Sequence, residues 1–130
     1  MRFIMFFSLL VSFSANVWAV DVNLENAKEW LLSSQNEMTR ARKLMRTNPT
    51  DSEIGEESRR VRSVSDGGID LFPAHRDWFD CRGVAANMWP LWWYGYRGKY
   101  MRSSTASADL KQFDADYKKS LLGCKAVLKR

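Results

Sequence analysis

The sequence predicts an all-α fold: a small four-helix bundle with one inter-helix disulfide, left after a signal peptide is cleaved. Three observations predict it. Along separate stretches of the chain, apolar residues recur at steps of three and four, the period of one helix face. No repeat, low-complexity linker or useful strand-period segment interrupts them. The two cysteines, Cys81 and Cys124, each fall on such an apolar stripe, so two core-facing stripes can meet and be linked.

Residues 1–19 read as the signal peptide. Arg2 precedes the apolar run FIMFFSLLVSF, and compact residues at Val17 and Ala19 place cleavage after Ala19. The run is too short and too lightly flanked for a membrane span, although an uncleaved anchor is the alternative. The residue directly after the cleavage point is Val20 and not cysteine, which argues against a lipoprotein. Residues 20–130 then form a single helical domain with a modest core. Losing Arg2 turns 20 basic residues into 19 against 15 acidic, a net of +4 that favours acidic partners or surfaces. Export argues against nucleic acid. In an exported chain, Cys81 and Cys124 read as one bridge, whose loop of about 43 residues contributes about 4 kcal/mol in the chain-entropy model.

The first helix runs from Leu24 to about Thr47. Leu24, Ala27, Leu31, Ser34, Met38, Ala41 and Met45 form its buried seam, Asn23 caps it and Val22 staples onto Ala27. Arg40, Arg42, Lys43 and Arg46 suit its carboxyl end, and Asn48-Pro49 breaks it. A second helix spans Asp51 to about Ser65, with Glu53, Glu56 and Glu57 leading and Arg59, Arg60 and Arg62 trailing, the order that the helix dipole favours. Its apolar residues are only Ile54, Val61 and Val64, which leaves a wide charged face, solvated or used for docking. Asp66-Gly67-Gly68 ends it.

The third helix starts near Pro73 and buries Trp78, Cys81, Ala85 and Met88. Pro90 lacks a backbone donor and crowds the preceding turn, so the helix ends or kinks near Trp89. Beyond it, Trp92 to Met101, loosened by Gly95 and Gly98, forms a short helix or an ordered loop. The last helix follows the candidate caps Ser103, Ser104, Thr105 and Ser107, and its stripe is Leu110, Phe113, Tyr117, Leu121, Cys124 and Leu128.

Catalytic signals are sparse. His75 is the single histidine, and no G-x-S-x-G or C-x-x-C-H motif is present. His75, Asp77 and Asp80 do not align on one helix side as metal ligands would, and carboxylates in such charged helices are ordinarily solvated or ion-paired. The chain is therefore expected to be no enzyme and to need neither cofactor nor metal. Binding is what remains. The run WPLWWYGYRGKYMR supplies Trp, Tyr and Arg, the residues that dominate interface energetics. Either these rings close the end of the bundle, or some of them face a partner or a membrane surface.

Arg76-Asp77-Trp78 shortly before Cys81, with Leu121-Leu122 and Cys124-Lys125 in the last helix, is similar to a pattern in the periplasmic immunity proteins that protect bacteria from type VI secretion peptidoglycan-amidase effectors. An exported helical domain with one inter-helix disulfide also resembles that family. The Trp-rich segment after Pro90 and the Arg-rich second helix depart from it, so no inhibitory residue is carried over. The resemblance implies a periplasmic immunity protein that blocks the active site of a peptidoglycan hydrolase effector. The partner-binding residues expected here are Trp92, Trp93, Tyr94, Tyr96 and Arg97, with Arg59, Arg60 and Arg62 as an electrostatic second patch. The alternative is an envelope-associated structural protein with peripheral membrane contact, and either role places the chain in the periplasm or outside the cell.

Overall fold

In the computed structural model, residues 22–101 and 106–130 are described, all in helices and short connections. The signal peptide and the caps expected at Ser103, Ser104 and Thr105 lie outside the described residues. Helix α1 spans Leu24–Leu44, and the Asn23 side chain accepts the Asn26 amide at 3.1 Å, as expected for its cap. Ala27, Leu31, Ser34, Met38 and Ala41 are buried on one face, whereas Leu24 is 49% exposed, so the seam begins one turn later than its sequence period. The helix stops at Leu44, three residues before Thr47. Thr47 donates its hydroxyl to the Leu44 carbonyl at 2.7 Å, and Asn48, pressed by Pro49, adopts a left-handed φ of 55°.

Helix α2 spans Asp51–Leu71 and opens on a capping box: Thr50 Oγ1 accepts the Glu53 amide at 3.2 Å while Glu53 Oε2 accepts the Thr50 amide at 2.7 Å. It runs through Asp66-Gly67-Gly68 rather than ending there. The reason lies in other helices. A Cβ on Gly68 would fall 2.6 Å from the Ala85 Cβ and inside the Trp30 indole, whose Nε1 donates to the Val64 carbonyl at 2.9 Å. Glycine here lets an indole sit on helical backbone, and that packing offsets the ~1 kcal/mol of helix propensity each glycine forfeits. Phe72, buried after the helix, meets Trp30 edge-on at 5.2 Å and stacks on Trp78 at 5.7 Å. Arg82 donates to the Ile69 and Phe72 carbonyls at 2.8 and 2.6 Å, satisfying the end of α2 with a cation.

The third helix does not begin at Pro73. A 3₁₀ turn at Arg76–Trp78 comes first, with His75 Nδ1 accepting the Asp77 amide at 3.3 Å, and helix α3 spans Phe79–Pro90. Pro90 does not stop the chain either. A π-helical segment at Leu91–Tyr96 follows directly and leads into α4 at Arg97–Tyr100, making one continuous rod. The chain passes the missing donor with ordinary helical bonding, Leu91 N–H reaching the Asn87 and Met88 carbonyls, and widens just beyond it, where Arg97 N–H reaches Trp92, five residues back. Helix α5 spans Ala106–Leu128, with Tyr117, Cys124 and Leu128 buried and Leu110, Phe113 and Leu121 packed at the core's edge. The architecture is thus four rods around one core.

Cys81 and Cys124 are bonded, with Cα atoms 4.5 Å apart. Gly83 and Gly123 flank that seam. A Cβ on Gly83 would come within 2.6 Å of Ser120 Oγ, and one on Gly123 would meet the Asp80 carboxyl. One acid is also buried between α1 and α2: Glu57 is 5% exposed, with Arg40 Nη2 3.3 Å from its carboxylate and 2.7 Å from Glu37. Burial and the neighbouring Glu37 push Glu57 up to about 7, against the pull of Arg40.

Two outcomes follow. Replacing Cys81 and Cys124 together by serine should lower the unfolding free energy by about 4 kcal/mol in denaturant titrations, and an unchanged midpoint would contradict the clamp. Because the folded value of Glu57 lies above its ordinary one, its contribution to stability is complete below pH 4.5 and is lost as pH rises through about 7. Glu57→Gln should remove a decline of about 2 kcal/mol between pH 5 and pH 8, measured by urea unfolding at both values.

Candidate functional site

Tryptophan is the most apolar-rich side chain available for a rigid contact, and arginine is the cation that stacks best on it. On one face of the bundle the fold sets two indoles between two arginines. The Arg62 guanidinium of α2 sits 5.0 Å over the Trp89 ring, Trp89 stacks on Trp93 at 5.2 Å with planes 20° apart, and Arg97 of α4 lies 3.8 Å over Trp93. Both indoles and Arg97 are partly buried, while Arg62 is exposed. The four side chains form an ordered stack that remains open to an approaching surface.

Local structure explains the stack. Trp89 and Trp93 stand four residues apart, and Arg97 another four, so a continuous rod aligns them along one side. Pro90 falls inside this run, at the end of α3, and the π-helical segment continues the rod directly beyond it. From α2, Arg62 is held by Asp66, whose Oδ1 lies 3.5 Å from its Nε. Arg59, Arg62, Asp66 and Asp70 line, with Trp89, a shallow cavity of about 650 Å³ beside the stack. Each contact of a cation with a ring here is worth about 0.5–1 kcal/mol, enough to favour one geometry without freezing it.

The expected partner-binding residues fall in five places. Trp92 is a correction: it is fully buried, its Nε1 donating to Ser58 Oγ at 2.9 Å, and its indole is the largest side chain of the core rather than a contact. Trp93, Arg97, Arg62 and Arg59 come together at the stack or its cavity, while Arg60 is exposed outside that lining. Tyr94 is 54% exposed and stacks on Phe113 of α5 at 5.9 Å. Tyr96 points to another surface, where Arg42 donates to its hydroxyl at 2.7 and 3.2 Å. Trp89 was not among the expected contacts, yet it is the centre of the stack. Its spacing of four from Trp93 is the available signal, masked by Pro90, where the sequence predicts that the helix ends or kinks.

Other candidate chemistry is placed more simply. His75 is exposed, caps the 3₁₀ turn and lies 3.4 Å from the Asp77 carboxylate, while Asp80 packs beside Gly123. Among the described residues no group of three His, Cys, Asp or Glu side chains is placed to hold a metal ion. Among them, too, no helix is long and apolar enough to cross a membrane. The bonded cysteines fit an oxidising compartment. No protein-family model, curated protein or solved structure matches this chain.

Proposed function

We propose that this chain is a periplasmic or secreted binding protein, most concretely an immunity protein that inhibits a cell-wall-degrading effector by occluding its active site. The observation that carries the reading is the Arg62–Trp89–Trp93–Arg97 stack. Interfaces draw most of their energy from a few Trp, Tyr and Arg side chains, and those already ordered in the free protein lose less freedom on binding. Here two indoles are held parallel by cations above and below. A net positive charge across the chain steers an acidic partner toward them.

Occlusion needs a rigid body, because a loose plug would be displaced by substrate. The disulfide between α3 and α5, and the buried Trp92 behind the stack, supply that stiffness. The fragments that resemble the immunity family have structural duties of their own. Trp78 stacks on Phe72 and Cys124 forms the bridge, whereas Arg76, Asp77, Leu122 and Lys125 are exposed. Partner recognition is therefore assigned to the stack and not to those fragments.

The experiment pairs the mature protein with a peptidoglycan hydrolase recovered from the same envelope. Stoichiometric addition should suppress peptidoglycan release. Trp93→Ala with Arg97→Ala, checked for intact helicity, should weaken inhibition about thirtyfold, equivalent to roughly 2 kcal/mol. Full hydrolase activity in the presence of the folded wild-type protein, or undiminished inhibition by the double variant, would sink the assignment. Binding to anionic vesicles in place of a hydrolase would favour the envelope-associated alternative.

A further inference from the structure

A second concavity, of about 540 Å³, opens where α1, α4 and α5 meet. Its charge is lopsided. Arg42, Arg46, Lys99, Lys111 and Lys118 contribute five cations to the lining, against the single carboxylate of Asp114. That carboxylate is already engaged, 2.6 Å from Lys118 and 3.4 Å from Arg42. Among the described residues Arg46, Lys99 and Lys111 form no ion pair. Like charges gathered in one groove repel, and a bound anion relieves that repulsion.

The walls are also fixed and partly apolar. Arg42 donates through both Nε and Nη2 to the Tyr96 hydroxyl and lies 5.2 Å over its ring. Since that oxygen accepts from Arg42, its own proton remains free to be donated, and burial pushes the Tyr96 hydroxyl upward so that it keeps the proton. Tyr100 is anchored by its hydroxyl to Asn48 Oδ1 and the Pro49 carbonyl, both at 3.2 Å, which sets its ring against the groove. Met45 and Leu110 add apolar surface. Arg42 and Tyr96 also line a smaller cavity of about 150 Å³, together with Tyr117. The buried Tyr117 hydroxyl has no hydrogen-bond partner among the described residues.

We propose that this groove binds a phosphate or diphosphate group carried on an apolar or ring-shaped body. A carboxylate would offset one of four net charges, whereas a diphosphate carries several and offers the oxygen geometry that guanidinium and ammonium groups satisfy together. The volume lies in the range of small-molecule sites. Such a group could arrive on a soluble ester or on a lipid headgroup. The site is independent of the Arg–Trp stack, and its fate does not follow from the hydrolase experiment.

The test titrates the mature protein with inorganic pyrophosphate by calorimetry. In parallel, it measures co-sedimentation with vesicles of phosphatidic acid in phosphatidylcholine against phosphatidylcholine alone. Saturable, salt-sensitive binding with Kd below about 1 mM is expected for at least one probe. Lys99→Gln with Lys111→Gln, both exposed, should weaken it at least tenfold, while Trp93→Ala should leave it intact. Binding to phosphatidic-acid vesicles, with or without pyrophosphate, supports the site and makes its ligand a headgroup; pyrophosphate alone supports it and makes the ligand a soluble ester. No saturable binding to either probe, equal binding by the double variant, or a loss that Trp93→Ala reproduces overturns the site.

Discussion

The Cys81–Cys124 bond holds α3 and α5 with Cα atoms 4.5 Å apart, and helices this close leave little room for side chains beside the bridge. Gly83 and Gly123 are the consequence. Each occupies a position where a Cβ would meet a side chain of the opposite helix, Ser120 in one case and Asp80 in the other. With α3 and α5 pinned, α1 and α2 have only to cover the remaining apolar face. They do so through Trp30, Phe72 and the residues against Trp92, and the same frame fixes both candidate binding surfaces.

What the sequence could disclose depended on where each cause lies. The α1 seam from Ala27 to Ala41, the Asn23 cap and the cysteine pairing have local causes, periodicity and side-chain chemistry, and they stand as expected. The Thr50 capping box was equally local, readable in Thr50 and Glu53, and went unused. The end of α2 was different. Gly67-Gly68 looks like punctuation by propensity, and only the Trp30 indole, contributed by another helix, turns Gly68 into a packing position. Tertiary contact overrode local preference there.

The candidate site shows the same division more sharply. Residue types pointed to the segment that carries the Arg–Trp stack, because Trp and Arg are the side chains that dominate interface energetics. Assigning individual rings required the phase of the helix, and that phase depends on how the chain passes Pro90. With the helix ended at Pro90, Trp92 and Trp93 are equivalent neighbours in a loop. With the π-helical continuation, Trp92 is drawn fully into the core and Trp93 joins Trp89 and Arg97 outside.

The same winding separates the two cationic surfaces. In an α-helix of 3.6 residues per turn, positions three apart nearly complete a turn and lie close together on one side. Bonding to the fifth residue back turns the chain less per residue, so Trp93 and Tyr96 diverge instead of converging. Trp93 faces Trp89 and Arg97 in the stack, and Tyr96 faces Arg42 on α1. The π-helical turn just beyond Pro90 thus gives one short rod two distinct faces, an indole stack on one side and a cationic groove on the other.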